Sequence, residues 1–319
     1  MNLLTEIPLS KANNPIDYSS QLLLLGSCFS ENIGAKLSYY KFQGIQNPFG
    51  ILFHPLAIER IIEKSVNQEF FTEEDVFNEN EQWHSFDAHS SLSNPSKAQI
   101  IADLNNAISR TSTQVNTASH IIITLGTAWV YRKTSSNKVV ANCHKVPQSN
   151  FTKELLSVEE VVKSLKRVIT FVQSVNPTVQ FIFTVSPVRH LKDGFLENQR
   201  SKAHLIAAIH QVLNEDRVSY FPSYELMMDE LRDYRFYAND MIHPNETAIE
   251  YIWEKFRLVW IKDSMDDHMK KVDEIKRGLQ HRPFNPDSEA HQKFLTSLRR
   301  KITYIQKEYP FMDFQISKS

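Results

Sequence analysis

Four short apolar runs, at residues 21–25, 121–125, 180–185 and 217–221, restrict what this chain can become. Each is continuous or nearly so rather than alternating, the pattern of strands covered on both faces. Segments of helical periodicity separate them, at 31–42, 55–64, 97–110, 158–175 and 196–213. Strand alternating with helix requires crossover connections and a parallel sheet, so the sequence predicts a three-layer α/β domain.

Two regions break the alternation. Residues 129–132 and 138–142 flank a Ser-Ser-Asn turn and predict a small hairpin. Residues 70–95 are polar, rich in Asn, His and Ser, and read as a long surface loop or a lid. From about residue 264 the composition changes. Residues 263–280 are charged and helical, Arg282-Pro283-Phe284-Asn285-Pro286 breaks the chain, and Asp287 or Ser288 opens a second helix. Its apolar positions Phe294, Leu298, Ile302 and Ile305 keep helical spacing. The organisation expected is an α/β domain over residues 1–262 and a C-terminal helical hairpin over 263–319. That hairpin packs on the domain, or on a second subunit as a homo-oligomer contact.

Composition excludes several functions. Lys plus Arg number 36 and Asp plus Glu 37, a net charge of -1, which gives no pull toward phosphate backbones or anionic membranes. The expected partners therefore include no nucleic acid and no membrane. The N-terminus lacks a basic segment followed by an apolar one, and no apolar run approaches the roughly 20 residues that span a bilayer. With only Cys28 and Cys143, reduced thiols and a cytoplasmic location are expected. No His-Glu-x-x-His, Cys-x-x-Cys, phosphate loop or Gly-x-Gly-x-x-Gly occurs, so neither metal nor cofactor is expected.

The seven glycines are few enough that each should answer a backbone requirement, and two of them, Gly26 and Gly126, end predicted strands. In Leu22-Leu23-Leu24-Leu25-Gly26-Ser27-Cys28-Phe29-Ser30, a strand ends in glycine and then presents hydroxyl and thiol side chains before a helix. Side chains there emerge at the carboxyl edge of the sheet, where open α/β folds bind ligands. The following helix offers amides and a dipole to a thiolate or an oxyanion. An ordinary strand-to-helix turn with a buried cysteine fits the same residues. Near the other end stands Tyr237-Ala238-Asn239-Asp240-Met241-Ile242-His243-Pro244-Asn245. Pro244 suits the first position of the last domain helix, with His243 as its cap. Asp240 can then fold back on the imidazole, fix its tautomer and leave the other nitrogen as a base.

Together, Gly26-Ser27-Cys28-Phe29-Ser30 and Asp240-Met241-Ile242-His243-Pro244 resemble the SGNH (GDSL-like) hydrolase superfamily, and within it the GSCFA-domain family of bacteria, with Ser30 in place of the final Ala. The likeness runs from about residue 20 to 260. It takes in Asn47-Pro48-Phe49-Gly50, Trp83-His84-Ser85-Phe86 with His89, Thr124 to Trp129, Asn142 to Pro147 and Ser186 to His190. It implies a flavodoxin-like three-layer fold and hydrolysis or transfer of acyl groups from a small-molecule or glycan ester. The superfamily's Gly-Asp-Ser block, laid on Gly26-Ser27-Cys28, puts the nucleophile at Cys28; Ser27 serves only if the turn shifts by one residue. For the oxyanion hole the resemblance points to Gly50 or Gly44 for the second block. In the third, Gly126-Thr127-Ala128-Trp129, Trp stands where the family pattern has Asn, and Asn142 is the substitute candidate. Thr127 and the cleft candidates His84, His89 and His144 complete the candidate substrate contacts, with Arg189-His190 as a partner for a carboxylate or phosphate. An inactive ligand-binding module on the same scaffold is the competing expectation.

Overall fold

The computed structural model describes residues 5–314. In chain order it begins with β1 (Gln21–Gly26), α1 (Cys28–Tyr39), β2 (Gln43–Gln46) and α2 (Pro55–Asn67). A hairpin of β3 (Phe77–Glu79) and β4 (Gln82–His84) leads to α3 (Lys97–Thr117) and β5 (His120–Leu125). Next come β6 (Trp129–Lys133), β7 (Lys138–Val140) and β8 (Phe151–Leu155), then α4 (Val158–Val175), β9 (Gln180–Val185), α5 (Phe195–Val212) and β10 (Val218–Phe221). The turn α6 (Ser223–Glu225), α7 (Glu246–Trp260), α8 (Asp266–Gln280) and α9 (Glu289–Glu308) complete it.

β10, β9, β5, β1 and β2 form one all-parallel sheet in that order. Counting only these five strands along the chain, the order is 2-1-3-4-5, the flavodoxin-like doubly wound arrangement. β5 and β9 are buried at every position. Leu23, Leu25, Ile121, Ile123, Phe181 and Phe183 face the core shared with α2 to α5; Leu22, Leu24, Ile122 and Ile182 face the core shared with α1 and α7 to α9. Both faces being covered is why these strands read as unbroken apolar runs.

The structure differs from the sequence expectations at several elements. A fifth sheet strand, β2, lies at the edge beside β1 and carries Gln43, Gly44 and Gln46, so it showed no apolar run. α1 starts at Cys28, with Ser27 in the cap position, three residues earlier than the periodicity indicated. The small hairpin gains a third strand, β8, against β6. Residues 70–95 are no lid: they hold the β3–β4 hairpin, a turn closed by a Thr72–Asp75 capping box, and the core side chains Phe71, Val76 and Ala88. Ser288 caps α9. Met269, Val272 and Ile275 of α8 and Leu298, Ile302 and Ile305 of α9 join the α1–α7 core, so the hairpin packs on its own chain.

Candidate active site

The turn after β1 is dictated by Gly26. Its φ is +129°, and a Cβ there would stand 2.1 Å from the Thr124 carbonyl oxygen of β5. The Gly26 amide donates to Asn47 Oδ1 (2.9 Å), and the Ser27 amide donates to the Thr124 carbonyl (3.0 Å). Ser27 is extended and fully buried, and its hydroxyl has no partner among the described residues. Cys28 opens α1 and is half-buried. Burial pushes its thiol up and Glu31 adds to the rise; Lys202 and the amides of Cys28 and Phe29 pull it back.

The histidine loop closes on itself. Asp240 Oδ1 accepts the amides of Ile242 (2.9 Å) and His243 (3.0 Å), and His243 Nδ1 donates to Asp240 Oδ2 at 2.6 Å. The His243 amide, its ring and the Ile242 amide hold the Asp240 carboxyl down at about 2. The helix cap is Asn245, whose Oδ1 accepts the Ala248 amide (3.0 Å), not His243; Pro244 precedes the cap and bridges to Tyr237. The Arg189 amide donates to the Ile242 carbonyl (3.2 Å), which fastens this loop to the segment leaving β9.

The remaining expected residues divide. Gly50 has φ +71°, and a Cβ there would meet His89 Cβ at 2.4 Å, so the two backbones need this glycine to lie together. Its amide, however, donates to the Asn47 carbonyl (2.8 Å) and is no free oxyanion donor. His89 caps the turn Ser90–Leu92 and lies close enough to Glu31 to feel its charge. The Thr127 hydroxyl is shared with Ser201 (3.0 Å) and accepts the Trp129 amide (3.0 Å); the Gly126 and Thr127 amides both donate to the Phe53 carbonyl. Asn142 Oδ1 accepts the His144 amide (2.9 Å), a turn-forming role, and no described hydrogen bond joins Asn142 to Cys28 or His243. The His84 and His144 rings meet tilted at 36°, their centroids 4.7 Å apart. The Arg189 guanidinium lies 4.0 Å over the Tyr237 ring and 5.3 Å over Tyr234, lines a cavity of about 170 Å³ with Met227 and Leu231, and has no ion pair among the described residues.

Three residues at this edge were not foreseen in these roles. Lys202 of α5 is fully buried, and its Nζ donates to the carbonyls of Gly126 and Ser186, both at 2.7 Å. Burial lowers it to about 7 while the Cys28 anion opposes the fall. His190 takes Phe53 edge-on at 5.4 Å and donates its amide to Asn198 Oδ1 (2.9 Å); burial, then Lys202 and His243, hold its ring at about 3. Asn47 follows β2 with its Nδ2 buried and unpartnered. Ser27 Oγ, Ser30 Oγ, Asn47 Nδ2 and His190 Nε2 are all buried polar atoms without a partner among the described residues, all contributed by segments leaving β1, β2 or β9. A signal for Lys202 existed: it falls on the stripe Asn198, Ser201, Leu205, Ala208, Ile209 and Val212 that α5 buries.

Among the described residues no three His, Cys, Asp or Glu side chains converge as metal ligands, and no helix is long and apolar enough to cross a membrane. The GSCFA family model matches residues 21–256, and that of the GSCFA domain protein, C-terminal domain, matches residues 272–318. No protein of curated function matches the sequence. Among solved structures, a carbohydrate esterase family 3 protein from Talaromyces cellulolyticus is 8% identical, with 79% of this chain and 98% of that one covered at a TM-score of 0.37. An acetyl xylan esterase from the rumen bacterium Butyrivibrio proteoclasticus is 10% identical, with 84% of this chain and 66% of that one covered at a TM-score of 0.39.

Proposed function

The chain belongs to the GSCFA family, and from that membership and the geometry of its sheet edge we propose a cofactor-free ester or thioester hydrolase, or acyltransferase, acting on a polar, carbohydrate-like acyl ester. The observation that carries this is the Asp240–His243 pair at 2.6 Å, tied through Arg189 to the carboxyl edge where Cys28 opens a helix. Cys28 Sγ attacks the acyl carbon, and the thiol proton passes to His243 Nε2 and on to the departing alcohol or thiol. The resulting thioester is then attacked by water or an acceptor hydroxyl, which gives its proton to His243; the acyl C–S bond breaks and His243 returns that proton to the departing Cys28 sulfur. Asp240 holds the tautomer throughout. The oxyanion falls to the first amides of α1, since the Gly50, Gly126 and Thr127 amides are engaged elsewhere. Ser27 is a poorer nucleophile because its hydroxyl is sealed. Arg189, free of an ion pair, is positioned for substrate hydroxyl or carboxylate oxygens.

The test is incubation with p-nitrophenyl acetate and acetylated xylo-oligosaccharides, with intact-mass detection of an acyl thioester after acid quench. Turnover and an adduct on Cys28, both absent in Cys28→Ala and with turnover lost in His243→Ala, are expected. Ligand binding with neither turnover nor adduct would instead identify an inactive scaffold, the reading that the engaged glycine-loop amides favour.

A further inference from the structure

Lys202 is 0% exposed, its Nζ is held by two carbonyls at 2.7 Å, and no carboxylate among the described residues pairs with it. A lysine serving only as a tie between two carbonyls carries a charge that its task does not need and that the interior disfavours. A buried cation without an anion marks a place where negative charge arises. The nucleophile candidate whose charge couples to Lys202 is Cys28. Gly126, whose carbonyl Lys202 holds, packs on the turn that presents the thiol: a Cβ on Gly126 would stand 3.2 Å from Ser27 Cβ. The Lys202 and Cys28 charges act on each other in both directions.

We infer that Lys202 is the buried counter-charge of Cys28, a positioning residue whose ammonium stabilises the thiolate and the negative charge that grows on the attached acyl group. The inference rests on the reading of Cys28 as nucleophile. The proton balance of that reading is unchanged: the thiol proton still goes to His243, and Lys202 keeps its own. The other groups facing the pair are Glu31, one turn along α1, which opposes ionisation of Cys28; His190, which burial and then Lys202 and His243 keep neutral; and Tyr224, whose ring lies 5.6 Å from Nζ. His89 reaches the pair only through Glu31.

The experiment is iodoacetamide alkylation of Cys28 against pH in a Cys143→Ala background, comparing Lys202, Lys202→Met and Lys202→Gln. Glutamine supplies two N–H donors without the charge, on a shorter side chain that also carries an acceptor oxygen, so with its fold checked by circular dichroism it separates tether from counter-charge if the methionine variant does not fold. The expected result is a profile displaced to higher pH in both variants, the rate at pH 6, where the parent Lys202 with its value of about 7 carries the charge, falling roughly tenfold for each pKa unit gained. The melting temperature of Lys202→Gln should stay near that of the parent. A folded Lys202→Gln with the parent's alkylation profile would overturn the inference and leave Lys202 a structural tie. The readout needs no substrate, so a protein that turns over no ester but shows the displaced profile refutes the proposed activity and not the charge pair.

Discussion

Asp240 serves His243 with both of its oxygens: Oδ2 accepts from the ring at 2.6 Å, and Oδ1 accepts the His243 amide at 3.0 Å. One carboxylate thus sets the loop's backbone and the tautomer of the imidazole together, and Nε2 is the nitrogen left to work. Because its folded carboxyl is held at about 2, Asp240 stays ionised over any practical assay range.

Asp240→Asn keeps the amide-accepting oxygen and removes the charge. The expected outcome is a fall in kcat of roughly 10²- to 10⁴-fold, by the behaviour of carboxylate–histidine pairs in general. The melting temperature should move little, because both side chains are about half exposed. Steady-state kinetics on whichever acyl ester is turned over would check it; a variant with wild-type kcat removes Asp240 from the mechanism.

Gly26→Ala tests the turn that places Cys28. A methyl group at φ +129° and 2.1 Å from the Thr124 carbonyl has nowhere to go without parting β1 from β5. The expected loss is at least about 3 kcal/mol, or failure to fold. Urea denaturation showing a loss below about 1 kcal/mol would mean that the strand end is not built as described.

How far the sequence reaches is visible at particular residues. Three of the foreseen strands, β1, β5 and β9, were legible because burial on both faces enforces an unbroken apolar run, the edge strand β10 from Val218, Tyr220 and Phe221, and Asp240–His243 because its spacing closes a local loop. β2 was not, since an edge strand can carry Gln43 and Gln46 toward solvent. The Gly50 amide was assigned to an oxyanion that it does not face, because which amides a turn consumes depends on its dihedral angles and not on its residue types. Lys202 escaped notice because lysine on a helix normally reads as solvated; only its place on the buried stripe of α5 distinguishes it.

Ile305→Ala tests whether α8 and α9 unfold with the sheet. Ile305 is fully buried in the core that also holds Leu22, Leu24 and Trp253. Truncation should cost about 2–5 kcal/mol and lower one cooperative transition, seen alike by circular dichroism and tryptophan fluorescence. An early transition in one probe, with the main transition unmoved, would make the C-terminal hairpin a separate unit.

Acid should destabilise the protein well before its carboxylates titrate. His54 is 4% exposed; its Nδ1 accepts the Ala57 amide (3.1 Å) and its Nε2 donates to the Val140 carbonyl (3.0 Å), a pattern that only the neutral ring satisfies. Burial holds it at about 4, His144 at about 4 and His190 at about 3, against 6.5 for the free group. The unfolded chain takes up these protons below pH 6.5 and the folded chain only near pH 4 or lower. Their contribution is therefore complete above pH 6.5 and is lost as pH falls toward 4; for His54 alone the loss is about 3 kcal/mol. Lys202 works on a different window: its folded value near 7 lies below the ordinary 10.5, so its cost is relieved as pH rises from 7 toward 10.5. The urea midpoint should accordingly fall steeply from pH 6.5 to 4.5, and His54→Asn should flatten that slope while lowering the neutral-pH midpoint. A midpoint that stays level across that interval would show that the three rings are not held neutral in the folded protein.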